Sequence, residues 1–247
     1  MSGESTDMDT DADMDIDLDP DTELAEAEVP NWQKRSVDRS LRSARARAQK
    51  RSDRFVAAAL ELIEESEDHD FTLQDVLDRT TMSVRTFYNF FDGKDSLLLA
   101  VYETILEKTA VPILRERTDR VADPVQRVKA FFETMAEIYA TPAPLTRALS
   151  LFHLRLAQSR PQDLIHALEP LHKFIVELLE GVAAAGRLRD DVEISALAAM
   201  LQELIIADAH SSVLAGTRTR TQDDLWAFCS AAILRPGAAT ERRGAAD

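Results

Sequence analysis

Apolar residues recur along most of the chain at helical rather than strand spacing. Phe55, Ala59, Leu62 and Ile63 repeat at intervals of three and four, which predicts an amphipathic helix over about 51–66, ended by the polar run Glu67-Asp68-His69-Asp70. Thr72 with Asp75 three residues on has the pattern of an N-terminal cap, and Phe71 can pack on Val76 as a hydrophobic staple. A second helix therefore starts there, with Leu73, Val76 and Leu77 as its buried stripe. The pattern breaks at Thr80-Thr81-Met82, and Ser83 is placed to cap a short third helix through the N–H of Thr86. In that helix Val84, Phe87 and Phe91 are expected to point inward, leaving Arg85, Thr86, Tyr88 and Asn89 outside. A guanidinium, a hydroxyl, a phenol and an amide on one outer face suit base edges and phosphates better than a core.

Downstream, Leu97, Leu98, Val101, Ile105 and Leu106 mark a long helix from about Lys94 towards Ala110. Pro112, Pro124, Pro142, Pro161 and Pro236 punctuate the remainder into helices around 125–140, 144–159, 162–185, 193–215 and 222–234. Pro170 falls inside one of these and is expected to kink it. The sum is about nine helices: an all-α protein with an N-terminal three-helix helix-turn-helix domain and a C-terminal helical bundle. Composition agrees, with only 7 Gly, 6% aromatic residues and long Ala/Leu/Glu/Arg stretches.

Charge is distributed very unevenly beneath the net −15. Residues 1–30 carry 12 acidic and no basic side chains, with Asp at every second position from Asp7 to Asp21, a composition that repels itself and buries nothing. Residues 1–33 are therefore expected to be a disordered acidic tail; they lack the Gly and the terminal Glu of a calcium loop. Residues 31–54 carry 9 basic against 2 acidic side chains, and Arg47, Lys50, Arg51 and Arg54 share one face if helical. This basic arm, 34–50, reads either as a solvated charged stretch or, with Arg45, Arg47 and Arg51, as a set of phosphate contacts.

The segment Phe71-Thr72-Leu73-Gln74-Asp75-Val76, the run Met82-Ser83-Val84-Arg85-Thr86-Phe87-Tyr88-Asn89-Phe90-Phe91 and the following Asp92-Gly93-Lys94-Asp95-Ser96-Leu97 together resemble the DNA-binding domain of the TetR family. The resemblance covers about 50 of 247 residues. It implies a homodimer that sets two recognition helices into successive major grooves of a palindromic operator, with a helical C-terminal domain for dimerisation and ligand binding. Carried over position by position, it gives Tyr88 and Lys94 phosphates to hold and makes Val84, Arg85, Thr86 and Asn89 groove-facing candidates. Thr72 and Ser83 either touch the backbone from helix N-termini or serve only as caps. Where the family often has Gly in the interhelix turn, this chain has Thr81, and a β-branched residue tolerates a left-handed conformation poorly.

These readings divide the chain into the tail, the arm, a helix-turn-helix domain over 51–97, a ligand-binding and dimerisation domain over 98–236, and a flexible tail over 237–247. In the larger domain Phe131, Met135, Phe152, His153, Leu156 and Phe174 are either core or the wall of a cavity for a small apolar effector. His153 is either a satisfied core histidine or a hydrogen-bonding partner for such a ligand. His166 and His172 are spaced poorly for one helix face, and His69 and His210 are expected at the surface. Apolar stripes on the last two helices, Ile194 to Ile205 and Leu225 to Ile233, would pair with a second copy by the resemblance.

A single cysteine, Cys229, leaves no intrachain disulfide and reads as a small core residue. No apolar run approaches the roughly 20 residues that cross a bilayer, so a cytoplasmic protein without a membrane segment is expected. No glycine-rich nucleotide loop, metal-ligand spacing or nucleophile–base pair is present in the sequence, so no cofactor, metal or catalysis is expected. A second reading is a ligand-independent DNA-binding or protein-interaction module regulated through the acidic tail. A buried cavity of a few hundred Å³ would distinguish the first reading from the second.

Overall fold

Helix is the only extended regular structure among the described residues, which are 30–65, 70–140, 144–214 and 221–235 of a computed structural model. The elements are α1 (Asn31–Glu65), α2 (Leu73–Thr80), α3 (Val84–Tyr88), α4 (Lys94–Ile105), a π-helical turn (Leu106–Ala110), α5 (Val111–Asp119), α6 (Pro124–Ala140), α7 (Pro144–Ser159), α8 (Pro161–Ala184), α9 (Ile194–Leu214) and α10 (Gln222–Ile233). One isolated antiparallel bridge joins Leu188 to Leu234. The acidic tail up to Val29, the loop residues 66–69 with His69, and the C-terminal tail from Pro236 lie outside the described residues.

The chain divides into two units, Met1–Ala46 and Arg47–Asp247. In the first, residues 31–46 are helical and their described side chains, including Arg35, Arg39, Arg42 and Arg45, are exposed. Helix α1 begins some twenty residues before the predicted start at 51. The stretch from Asn31 to Arg54 contains neither Gly nor Pro and is rich in Arg, Ala, Leu, Gln and Lys, so no residue in it breaks the helix.

The second unit holds the helix-turn-helix module and the helices after it. Phe55, Ala59 and Ile63 of α1, Val76 of α2 and Phe87 of α3 are completely or almost completely buried, together with Leu97, Leu98 and Val101 of α4. Ala148 and Phe152 of α7 complete this core, so α7 belongs to the packing of the small module as well as to the bundle. A second cluster joins α5, α6, α8, α9 and α10 around Phe131, Phe174, Leu179 and Ile205, and includes Cys229, whose thiol burial pushes up to about 11.

Two local features depart from expectation, and at a third the strained position marked in the sequence takes a left-handed conformation. Val84 is 49% exposed rather than inward, because it is the first residue of a five-residue helix and stands before the turn whose Phe87 reaches the core. A further helix, α5, follows α4 where Pro112 was expected only to interrupt. Pro lacks an N–H and its ring clashes with the carbonyl four residues back. The chain responds by widening one turn, so that the Val111 N–H reaches the Leu106 carbonyl, and Pro112 then sits in the first turn of α5. Thr81, finally, adopts the left-handed conformation at φ 54°, ψ 29°. Its hydroxyl donates to the Thr80 carbonyl at 2.7 Å, and the Arg54 guanidinium donates to the same oxygen at 3.1 Å, placing a cation at the C-terminus of α2.

Helix starts follow the capping chemistry closely. Thr72 accepts from the Asp75 N–H at 3.2 Å while the Asp75 carboxylate accepts from the Thr72 N–H at 2.7 Å, a complete capping box. Thr221 and Asp224 repeat it at α10. Helix α8 runs unbroken through Pro170 and ends in a Schellman turn, where Gly186 supplies φ 69° and Arg187 N–H reaches the Val182 carbonyl at 3.1 Å.

The left-handed Thr81 predicts a stabilising substitution. A β-branched residue there costs about 1–2 kcal/mol, of which the extra unfolded-state freedom of glycine takes back about half. Thr81→Gly should therefore raise stability by about 0.5–1 kcal/mol in chemical denaturation, and a loss of stability would show that the hydroxyl contact to Thr80 outweighs the strain.

Candidate nucleic-acid interface and effector cavity

Helix α3 is too short to persist alone, and aromatic packing holds it. Phe87 meets Phe55 edge-on with ring centroids 5.5 Å apart, and Phe91 lies 6.1 Å from Phe55 and 5.4 Å from Phe87. Ser83 caps the helix by accepting from the Thr86 N–H at 3.1 Å, and its hydroxyl shares a second hydrogen bond of 2.9 Å with that of Thr86. With Phe87 turned inward, Val84, Arg85, Tyr88 and Asn89 stand exposed and Thr86 half-buried on the other face. Tyr88 is 56% exposed, and Arg85 makes no ion pair among the described residues. This free guanidinium beside a phenol and an amide is the arrangement expected of a groove-reading face.

The other predicted DNA contacts divide into exposed and engaged groups. Arg47 and Arg51 are exposed on α1 in the second unit, and Arg45 is exposed in the first. Thr72 and Ser83 are exposed, and both work as helix caps. Lys94 is occupied: its ammonium donates to Asp70 at 2.5 Å and to the Phe71 carbonyl, and lies 4.8 Å from the Phe71 ring centroid. It staples the entry to α2 onto the start of α4. Arg79 similarly ties α2 to α1 through Glu61 and Glu65, at 3.2 and 2.5 Å.

Helix α4 leaves the small module and runs to the wall of a cavity of about 160 Å³. Tyr102 and Ile105 of α4 line it, followed by Leu106, Thr109 and Ala110 of the π-helical turn; α5, α6, α7, α8 and α9 close it. Met135 and His153 are the two predicted pocket residues that line this space. Phe131 and Phe174 lie in the bundle core, Phe152 in the core shared with the small module, and Leu156 in a smaller cluster with Tyr102 and Leu164.

His153 stands at the polar end of the cavity. Its Nδ1 is 3.2 Å from the Tyr102 hydroxyl, and the ring of His210 meets its own at 4.9 Å. Burial, with the neighbouring His210 adding to it, pushes His153 down to about 4, and burial lowers His210 as well. Burial raises the phenol of Tyr102, and that of Tyr139 up to about 12. All four groups are consequently neutral near pH 7. His210, expected at the surface, is half-buried here because α9 packs across α7. Tyr102, Tyr139 and His210 were missed because they come from three different helices and share no sequence period.

Two ion pairs connect the start of α4 to the helices behind it. Arg155 of α7 meets Asp95 at 2.6 Å, and Arg160, at the junction of α7 and α8, meets Asp92. The Arg160 hydrogen bond holds the Asp92 carboxyl below its ordinary range. Among the described residues, no group of His, Cys, Asp or Glu side chains is arranged to hold a metal, and no helix is long and apolar enough to cross a membrane.

An exposed short helix on a three-helix module, continued by a long helix into an all-helical bundle, is the architecture of a helix-turn-helix protein. Residues 55–101 match the model of bacterial regulatory proteins of the tetR family. The fold as a whole is similar to FadR of Thermus thermophilus, a TetR family transcriptional repressor in complex with lauroyl-CoA. That likeness has 22% identity and a TM-score of 0.58, over 72% of this chain and 90% of the other. It is also similar to reduced NemR of E. coli, at 15% identity and TM-score 0.57 over 76% and 99%, and to FadR of Bacillus subtilis in complex with stearoyl-CoA, at 13% and 0.55 over 72% and 95%. No curated protein sequence matches the chain.

The depressed His153 has a pH signature. Its imidazole titrates near 6.5 when unfolded and near 4 in the fold, so the unfolded chain binds the extra proton in between. The associated stability is present above pH 6.5 and lost as pH falls towards 4. After allowance for partial exposure it amounts to about 1 kcal/mol by pH 5. His153→Gln should make the melting temperature fall less steeply between pH 6.5 and 5; an unchanged slope would show that the imidazole is not held neutral.

Proposed function

We propose that this chain is a ligand-responsive transcriptional repressor that binds a palindromic operator as a homodimer. The observation that carries the reading is the double membership of α4. Leu97, Leu98 and Val101 are buried in the core that holds α3, while Tyr102 and Ile105, at the other end of the same helix, face the cavity. A ligand that favours one position of the π-helical turn biases the position of α4, and through it the spacing of two recognition helices. The coupling is the difference in ligand affinity between the two positions. That a similar fold is named a TetR family transcriptional repressor and holds lauroyl-CoA supports a regulator with a ligand site.

Dimerisation rests on the surface of the last two helices. Helix α9 carries apolar residues on every side, with Leu197, Ala198, Leu201 and Ile205 in the core and Met200 61% exposed opposite them. On α10, Phe228 is 65% exposed. Apolar helix faces of this kind call for a covering surface, and an isologous pair of them supplies it while matching a two-fold operator.

On DNA, Arg85 and Asn89 read base edges, Tyr88 and the exposed arginines of α1 hold phosphates, and Val84 offers an apolar contact to a thymine methyl group. Lys94 keeps one donor free of Asp70 and Phe71 for a phosphate.

Footprinting across the upstream region of its own gene should reveal a protected inverted repeat. Arg85→Ala should weaken binding to that site about 5- to 150-fold, the equivalent of about 1–3 kcal/mol, with little change on unrelated DNA. An equal loss on both sequences would reassign Arg85 to phosphate binding. Sedimentation should show a dimer for the full chain and a folded monomer for Phe228→Asp; a dimer that survives the substitution would place the interface elsewhere.

A further inference from the structure

The cavity wall specifies its ligand more narrowly than the regulator reading requires. Its volume, about 160 Å³, is close to that of the roughly 150 Å³ apolar cavity known to take up benzene. Most of the wall is hydrocarbon from Ile105, Ile113, Leu114, Met135 and Leu149. No Lys, Arg, Asp or Glu is among the described lining residues, and the four ionisable ones are held neutral. An anion entering this space would shed its hydration with no counter-charge to meet it. The polar end is specific: in the tautomer where the Tyr102 hydroxyl donates to His153 Nδ1, the Nε2–H of His153 remains a donor.

An entry route is visible as well. An open groove of about 710 Å³ between α7, α8 and α9 shares His153, Ile206 and His210 with the cavity, so these three side chains form the partition between them.

From size, neutrality and the single polar end, we infer that the cavity takes an uncharged, single-ring-sized apolar molecule. One hydroxyl or carbonyl group of that ligand bonds to the Tyr102–His153 pair. The inference rests on the proposed ligand-responsive reading and narrows it. It excludes acyl-CoA thioesters, whose phosphates find no cation here and whose chain outruns the space.

Calorimetry on the full chain near neutral pH, with 4-methylphenol, toluene, benzoate and lauroyl-CoA as probes, tests it. We expect 4-methylphenol to bind once per chain and at least tenfold more tightly than toluene, with benzoate and lauroyl-CoA showing no binding. Tyr102→Phe, which keeps the ring and the packing, and His153→Leu should each bring 4-methylphenol down to the level of toluene while leaving toluene within threefold. Absence of 4-methylphenol binding, tighter binding of benzoate or lauroyl-CoA, or indifference to both substitutions would overturn the inference. A parallel titration on the footprinted DNA keeps the two readings apart. Binding of 4-methylphenol with unchanged operator affinity would leave the ligand class standing and remove ligand-responsive repression. Release of the operator by lauroyl-CoA would do the reverse.

Discussion

A helix of five residues such as α3 has no stability of its own, and its place depends on one buried ring. Phe87 is fully buried and meets Phe55 of α1 edge-on, with Phe91 closing the other side. Removing a buried phenylalanine typically costs about 3–5 kcal/mol, a large share of the whole stability of a domain this size. That packing decides which face of α3 is left for solvent, and so decides that Arg85, Tyr88 and Asn89 stand together. The caps at Ser83 and Thr72 refine where α2 and α3 begin, each at about 1 kcal/mol, but they do not orient α3.

The same aromatic core extends to Leu97, Leu98 and Val101, which makes α4 rigid with the small module at one end. At its other end the helix passes into a turn that is already irregular. Pro112 forces that irregularity, because a regular α-helix cannot carry proline without losing a bond and clashing at the carbonyl of Lys108. The π-helical turn therefore has a structural cause in the sequence and a consequence in the cavity, where Leu106, Thr109 and Ala110 form part of the wall. The ion pairs of Asp92 and Asp95 to Arg160 and Arg155 lie at the start of α4, each with one partner about half or more exposed and the other about a quarter exposed, so each contributes about 1 kcal/mol.

Local chemistry made much of this legible in advance. The caps at Thr72 and Ser83, the inward phenylalanines and the boundaries of α6 to α10 follow from residues within a few positions of one another. Where a reading failed, the deciding contact was distant or collective. Val84 shares a helical face with Phe87 on paper, but a helix that starts at Val84 has no preceding turn to carry it inward. Thr81 was marked as a strained position, and it does take the left-handed conformation, held by Thr80 and Arg54. The cavity was not legible at residue level because its wall is drawn from six helices and the π-helical turn, a few residues from each. Phe131 and Phe174 share a helix face with the wall residues Met135 and Leu171, one turn away, yet they are buried in the bundle core instead of lining the cavity.

The small size of the cavity is compatible with control of DNA binding. An operator switch needs a coupling free energy of about 1–3 kcal/mol between ligand and DNA. A single-ring ligand of about eight non-hydrogen atoms has a ceiling near 1.5 kcal/mol per atom, so the proposed switch needs only a minor part of its binding energy to differ between two positions of α4. A longer ligand would contribute more total affinity without improving that difference, since atoms that contact α6 or α8 alone see no change when α4 moves. Tyr102 belongs to α4 while its hydroxyl pairs with Nδ1 of His153 of α7, so a ligand that bonds to the Nε2–H of the same imidazole bears on a polar contact that joins α4 to its neighbour.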